Sequence, residues 1–146
     1  MHKIIIIGAG FAGLQAAQGL KSSLFDLVII DKHNYHLFQP LLYQVATAGL
    51  SPADIALPIR NILRSQKNLK VIMDELIGIS PQLNQITTRN NTYFYDFLIL
   101  ATGSELSYFG HEQWKNFSYG LKNIEDATFL RGKILKAFEK AERTKN

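Results

Sequence analysis

The sequence predicts an α/β fold built on a parallel sheet, and three observations carry that prediction. A continuous apolar run through Ile4 to Ile7 leads into Gly8-Ala9-Gly10-Phe11-Ala12-Gly13 and then a helix-forming stretch, Leu14 to Lys21. A second run, Leu27 to Ile30, ends at Asp31, with Ser22 and Ser23 supplying the loop before it. A third, Phe97 to Ala101, runs into Thr102-Gly103. Runs that are apolar at consecutive rather than alternate positions suit strands buried on both faces, as parallel strands are. The first two, with the helix between them, have the size of one βαβ crossover.

The middle of the chain is less regular. From Lys32 to Leu50 no period holds, yet Tyr35, Leu37, Phe38, Leu41, Leu42, Tyr43 and Val45 are all large and apolar. Ser51-Pro52-Ala53-Asp54 is a helix start, with a capping serine, a proline at the first helical position and an acid three after the cap. Pro58 then ends that turn or begins another, and Ile59, Ile62 and Leu63 share a helical face. Short strands follow near Lys70–Met73, Leu76–Ser80 and Gln85–Thr88, with Arg89-Asn90-Asn91-Thr92 as a hairpin turn into Tyr93–Tyr95. Asn123 caps a last helix with an apolar stripe of Ala127, Leu130, Ile134, Phe138 and Ala141. Gly132 weakens it by ~1 kcal/mol relative to alanine.

Composition bounds the possibilities. A chain of 146 residues, 47% hydrophobic and 19% charged, is globular and fits a single domain spanning 1–146. No apolar run approaches the ~20 residues of a membrane span, and only His2 and Lys3 precede the first run, too little for a secretory signal. The absence of cysteine excludes disulfides, thiolate metal sites and thiol redox chemistry from this chain, and fits a reducing compartment. The net charge of +4 is modest. Its one concentration, Arg131, Lys133, Lys136, Lys140, Arg143 and Lys145 with Glu139 and Glu142 between them, reads as a solvated helix face rather than a nucleic-acid patch.

The glycine cluster carries the chemistry. Gly8 permits the tight turn after the strand, and Gly10 lets the backbone approach a pyrophosphate. Gly13 lets the helix press on the strand, and the helix N-terminus offers N–H groups to the phosphates. Asp31 ends the second strand eighteen residues after Gly13, where a carboxylate can accept adenosine ribose hydroxyls and disfavour a 2′-phosphate. The pattern predicts a dinucleotide site in a Rossmann-like domain, without saying which dinucleotide.

Other candidates have plainer readings. His33, His36 and His111 lack metal-ligand spacing and suit polar or capping roles, so no metal site is predicted. Asp74-Glu75 reads as a solvated bend. Arg60 suits either cofactor phosphates or a surface ion pair, and Trp114 either a core or an interface.

The stretch His33-Asn34-Tyr35-His36-Leu37-Phe38-Gln39-Pro40-Leu41-Leu42-Tyr43-Gln44-Val45-Ala46, with Leu50-Ser51-Pro52 and Leu57-Pro58-Ile59-Arg60, resembles type II NADH dehydrogenase. Those single-chain flavoenzymes pass electrons from NADH to quinone at the membrane surface. The likeness continues through Tyr95 to Ser104 and Gly120 to Ala127, covering nearly the whole chain. It implies an α/β, Rossmann-like FAD-binding domain with a parallel sheet, flanking helices and a small antiparallel β-meander. It implies FAD at the glycine fingerprint, NADH as substrate, and a cytoplasmic enzyme held peripherally at the inner membrane face. Carried over by position, Gly8, Gly10, Phe11, Ala12 and Gly13 line the FAD pyrophosphate, with Asp31 and Lys32 at the ribose. Gln39 and Leu42 lie in the segment running toward the ribityl chain and flavin. Leu76 falls where backbone groups hold the adenine, and Ala101, Thr102 and Gly103 approach the cofactor closely. Thr102-Gly103 also reads as a plain strand end, and Leu76 as a plain core residue.

The departure from the family pattern is that no second GxGxxG follows Gly13. The resemblance therefore implies that the NADH-binding unit and the membrane segment lie outside these 146 residues, and that this part is inactive alone. Such a part would expose apolar surface among Leu41, Leu42, Tyr43 and Val45 and along the last helix, favouring homo-oligomers. Disulfide reductases of the same superfamily carry a cysteine pair after Asp31. Gln39 to Gln44 fills that stretch here, which excludes their chemistry. A non-catalytic FAD- or nucleotide-binding module is the alternative, and a sulfide:quinone reductase-like flavoprotein a lesser one.

Overall fold

The computed structural model describes residues 1–144, so Lys145 of the basic cluster lies outside the described residues. Two compact units are present. The first comprises residues 1–36 and 57–103, the second, among the described residues, 37–56 and 104–144.

The first unit holds the predicted parallel sheet. Strand β1 (His2–Ile7) leads into helix α1 (Phe11–Gly19), and β2 (Phe25–Asp31) returns beside β1. The helix begins three residues earlier than its sequence pattern suggests, because Gly10 takes an extended N-cap conformation and Phe11 already turns. Both α1 glycines are poor helix formers, yet Gly13 lies inside the helix because packing outweighs propensity there. Two three-residue strands, β3 (Tyr35–Leu37) and β4 (Ala56–Pro58), lie at the boundaries between the two units.

Strand β5 (Leu69–Met73) lies beside β2, and β9 (Phe97–Leu100) lies on the other side of β1. The order β5-β2-β1-β9 is parallel throughout. Strands β6 (Leu76–Ser80), β7 (Gln85–Thr88) and β8 (Thr92–Phe94) form the antiparallel meander. Of the short strands read after Leu63, the first therefore belongs to the parallel sheet and only the next two to the meander.

Successive side chains of β1 go to opposite faces, and each face has its own core. Ile4, Ile6, Leu27 and Ile29 pack with Leu14 and Ala17 of α1 and with Ile59 and Leu63. Ile59 opens the short helix α4 (Ile59–Ile62), which follows Pro58 directly. On the opposite face Ile5, Ile7, Val28 and Ile30 meet Ile86 of the meander, with Tyr93 and Tyr95 at the margin. The sheet is covered on both faces, which is why its strands carry no polar alternation.

The second unit has a smaller core of Leu42, Val45, Ala46, Ile55 and Ala127. Leu42 and Val45 sit on α2 (Leu42–Ala46) and are buried, so the expectation that they form exposed apolar surface is corrected; Tyr43 of the same helix is exposed. Ser51 starts α3 (Pro52–Ile55) with a full capping box: its Oγ accepts the Ala53 N–H, and Asp54 Oδ2 accepts the Ser51 N–H at 2.7 Å. Helix α5 (Ile124–Arg143) is capped by Asn123, whose side chain accepts the Asp126 N–H at 2.7 Å. Only Ala127 of its predicted stripe is fully buried, while Phe138 is exposed. Among the described residues no helix is long and apolar enough to cross a membrane.

Candidate functional site

The connectivity of the sheet fixes where a ligand can bind. From β1 the chain crosses to β2 on one side, while β9 flanks β1 on the other, so the C-terminal ends of β1 and β9 bound a switch-point crevice. Gly8 follows β1 and Ala101 follows β9. The two segments are in contact there: Gly8 takes φ +97°, and a Cβ on it would overlap the Ala101 carbonyl. The Ala101 N–H in turn donates to Ile7 O at 2.8 Å. Thr102 and Gly103 come next, both exposed, with Gly103 at φ +78°.

The three glycines of the loop do different work. A Cβ on Gly13 would overlap the carbonyl of Gly8, far inside the 3.0 Å that real Cβ atoms respect, so α1 can approach β1 only at a glycine. Gly10 is the opposite case: it is exposed and a Cβ there meets nothing within 4 Å. Packing within the fold therefore does not demand glycine at position 10. A glycine there leaves the backbone open to close approach. Exposed Phe11 and Ala12 follow, in the first turn of α1, where N–H groups lack intrahelical acceptors. This open, amide-rich strand-to-helix turn fits a dinucleotide pyrophosphate.

Asp31 is tied into that turn. One carboxylate oxygen accepts the Ala9 N–H at 2.6 Å, and the other accepts the His33 N–H at 2.7 Å. A carboxylate has about four lone-pair sites, so ribose hydroxyls can still be accepted. Lys32 is exposed next to it. The Ala9 carbonyl is held from another direction by His36 Nδ1 at 2.9 Å, and His36 is buried. Sequence spacing indicated only a polar or capping role for that histidine.

The first unit thus brings together Gly8, Gly10, Phe11, Ala12, Gly13, Asp31, Ala101, Thr102 and Gly103. Leu76 opens β6 and is half-buried against the Ile86 core. Gln39 and Leu42 belong to the second unit, where the Gln39 amide reaches Lys122 O at 3.4 Å and Leu42 is a core residue.

The remaining candidates resolve into structure. Arg60 donates to Val71 O on the outer strand of the sheet at 3.0 Å. Trp114 is half-exposed and stacks on His111 with ring centres 4.4 Å apart. Asp74 is buried rather than solvated, which corrects the reading of a surface bend. Burial raises its pKa, but hydrogen bonds from the Thr88 hydroxyl, the Glu75 N–H and the Asn90 side chain and backbone outweigh that. They hold the carboxyl below its ordinary value. Glu75 instead pairs with Arg89. Among the described residues no group of His, Cys, Asp and Glu is arranged to hold a metal ion.

The model of the pyridine nucleotide-disulphide oxidoreductase family matches residues 2–142. Among curated proteins, the chain is 48% identical over 145 residues to the type II NADH:quinone oxidoreductase NdhA of Mycobacterium tuberculosis, covering 97% of this chain and 31% of that protein. It is 46% identical to the type II NADH:quinone oxidoreductase Ndh of the same organism, covering 98% of this chain and 32% of the relative. The chain therefore spans about a third of the length of these relatives. Among solved structures, NDH2 of Plasmodium falciparum in complex with NADH superposes with a TM-score of 0.84 at 29% identity, covering 97% of this chain and 30% of that one. The sulfide:quinone oxidoreductase of Aquifex aeolicus gives 0.85 at 25% identity, covering 95% and 33%. With the glycine turn, the acid-tipped second strand and a family match over nearly its whole length, this chain belongs to the pyridine nucleotide-disulphide oxidoreductase family.

Proposed function

We propose that this chain is the FAD-binding part of a type II NADH:quinone oxidoreductase. The observation that carries the reading is Gly10, a glycine that nothing in the fold requires, at the mouth of an amide-rich turn. In this reading Gly8 to Gly13 hold the pyrophosphate, aided by the positive end of α1. Asp31 and Lys32 hold the ribose, and Leu76 supports the adenine. Ala101, Thr102 and Gly103 offer backbone to the cofactor. When bound, FAD supplies a two-electron acceptor for hydride from NADH and a donor to quinone. This chain's own part is to bind and orient that group, since its lack of cysteine leaves it no dithiol relay.

A sulfide:quinone reductase-like flavoprotein is the second reading, favoured by the fold likeness at 25% identity. The 48% identity to an NADH:quinone enzyme weighs more. A non-catalytic nucleotide module would bind adenine nucleotides without preference for a flavin. The test is to incubate the purified chain with FAD, remove free ligand and record the visible spectrum. A retained flavin band is the expected result. Retention of AMP or NAD with no flavin would overturn the proposal.

A further inference from the structure

We infer that His36 is a positioning residue for the phosphate-binding turn, fixing the Ala9 carbonyl so that the turn is set before a cofactor arrives. The inference rests on the FAD reading for its ligand, but its geometry is a property of the chain alone.

Ala9 is 2% exposed, so both of its main-chain polar groups need partners inside the protein. It sits between Gly8, at φ +97°, and Gly10, the two least constrained neighbours a residue can have. Peptide planes flanked this way rotate cheaply unless something else holds them. Two side chains do. Asp31 accepts the Ala9 N–H at 2.6 Å, and His36 Nδ1 lies 2.9 Å from the Ala9 oxygen. A carbonyl oxygen only accepts, so Nδ1 carries the proton and donates. The His36 ring also meets the Phe11 ring edge-on, with centres 5.0 Å apart and planes at 88°. One buried imidazole on β3 therefore touches the turn at residue 9 and the start of α1 at residue 11.

The two holds differ in what they can reveal. Asp31 is assigned to the ribose as well, so its loss mixes ligand contact with loop order. His36 is buried, touches Ala9 and Phe11, and is assigned no contact with the ligand. Released from His36, the Ala9 carbonyl becomes a mobile partial negative charge beside a site that must accept phosphate. A preset turn avoids that repulsion and the entropy of ordering the loop on binding.

Two substitutions separate the donor from the ring. His36→Phe keeps an aromatic ring against Phe11 and removes the donor. His36→Asn removes the ring and keeps a side-chain N–H near the position of Nδ1. Two measurements are made on the 146-residue chain: amide hydrogen exchange across residues 8–14 without ligand, and FAD titration by flavin fluorescence. With His36→Phe, exchange in the turn should accelerate while β2 peptides stay protected, and FAD binding should weaken about 10-fold or more. His36→Asn should restore both to within a few-fold of wild type. Wild-type exchange and affinity in His36→Phe would overturn the inference. So would an Asn variant that loses both, because the donor would then not be the cause. If His36→Phe fails to fold, His36→Met takes its place as the donorless variant, with the same expected and overturning results. A wild-type chain that takes up no FAD overturns the cofactor reading, and the exchange data then decide the role of His36 by themselves.

Discussion

Gly13 lies directly against the carbonyl of Gly8, so that any side chain on Gly13 would overlap the oxygen at the end of β1. Gly10, between them, faces open space. The fold therefore requires glycine at two of the three positions and not at the third, which makes the motif separable by substitution. Gly10→Val is expected to fold with near-normal thermal stability and to lose FAD binding. Gly13→Ala is expected to lose the fold, or several kcal/mol of it, because backbone must move to admit the methyl. Melting curves paired with FAD titrations check both, and wild-type FAD affinity in Gly10→Val would remove the pyrophosphate from this turn.

Asp31→Ala is expected to act at two levels. In the proposed reading it removes the ribose acceptor, costing about 1–3 kcal/mol of binding, in the range for a charge-assisted hydrogen bond. It also strips the Ala9 and His33 N–H groups of their partner, so the ligand-free protein should melt lower as well. Asp31→Asn keeps one acceptor oxygen and should recover part of the stability but not the charge-assisted share of binding. An Asp31→Ala variant that binds FAD normally would move the ribose contact elsewhere, with Lys32 the nearest candidate.

The geometry of the glycine turn was legible in the sequence because glycine and terminal-acid positions are local signals. The strand, turn, helix and Asp31 spacing declare themselves within thirty residues, and the Ser51 and Asn123 caps are equally local. What the sequence left open depended on contacts across long separations. Leu42 and Val45 lie in a five-residue helix, too short for a helical period, so core and exposed surface look alike there. His36 meets Ala9 across 27 residues, and Asp74 meets Thr88 across 14, through side chains that no spacing rule connects. Strand β5 is only half-buried, and its composition does not distinguish a parallel edge strand from the first strand of a meander.

The Asp74 cluster predicts a pH dependence with a definite sign. Its folded carboxyl is held below the ordinary value, so the folded protein binds that proton more weakly than the unfolded chain does. The stability this adds is fully present above about pH 4 and is lost as pH falls through the lower folded value. Asp74→Asn should therefore lower the urea midpoint at neutral pH, and the gap to wild type should narrow as the solution is acidified below about pH 4. A gap of the same size at both pH values would mean that the ionised form of Asp74 is not what stabilises the meander.

The 146-residue chain is expected to oxidise NADH with a soluble quinone no faster than free FAD does under the same conditions. Hydride transfer needs the nicotinamide carbon and the flavin nitrogen held at roughly 3–3.5 Å in a near-attack arrangement. Free diffusion supplies that geometry rarely, so a second cradle must fix the nicotinamide nucleotide against the flavin. The one glycine fingerprint is assigned to FAD, and Gly19, Gly49, Gly78, Gly103, Gly110, Gly120 and Gly132 each stand outside any GxGxxG pattern. The Thr102-Gly103 turn ends β9 without a helix start behind it, because the next residues are irregular and then 3₁₀ at Glu112–Asn116. It therefore offers none of the aligned amides that a second pyrophosphate would need. The measurement is steady-state NADH oxidation at rising NADH concentration, with added FAD and with a matched FAD-only control. A rate equal to the control and linear in NADH is the expected outcome. Saturation at a rate well above the control would show that these residues hold a nicotinamide site of their own, and the assignment of this chain to FAD binding alone would have to be given up.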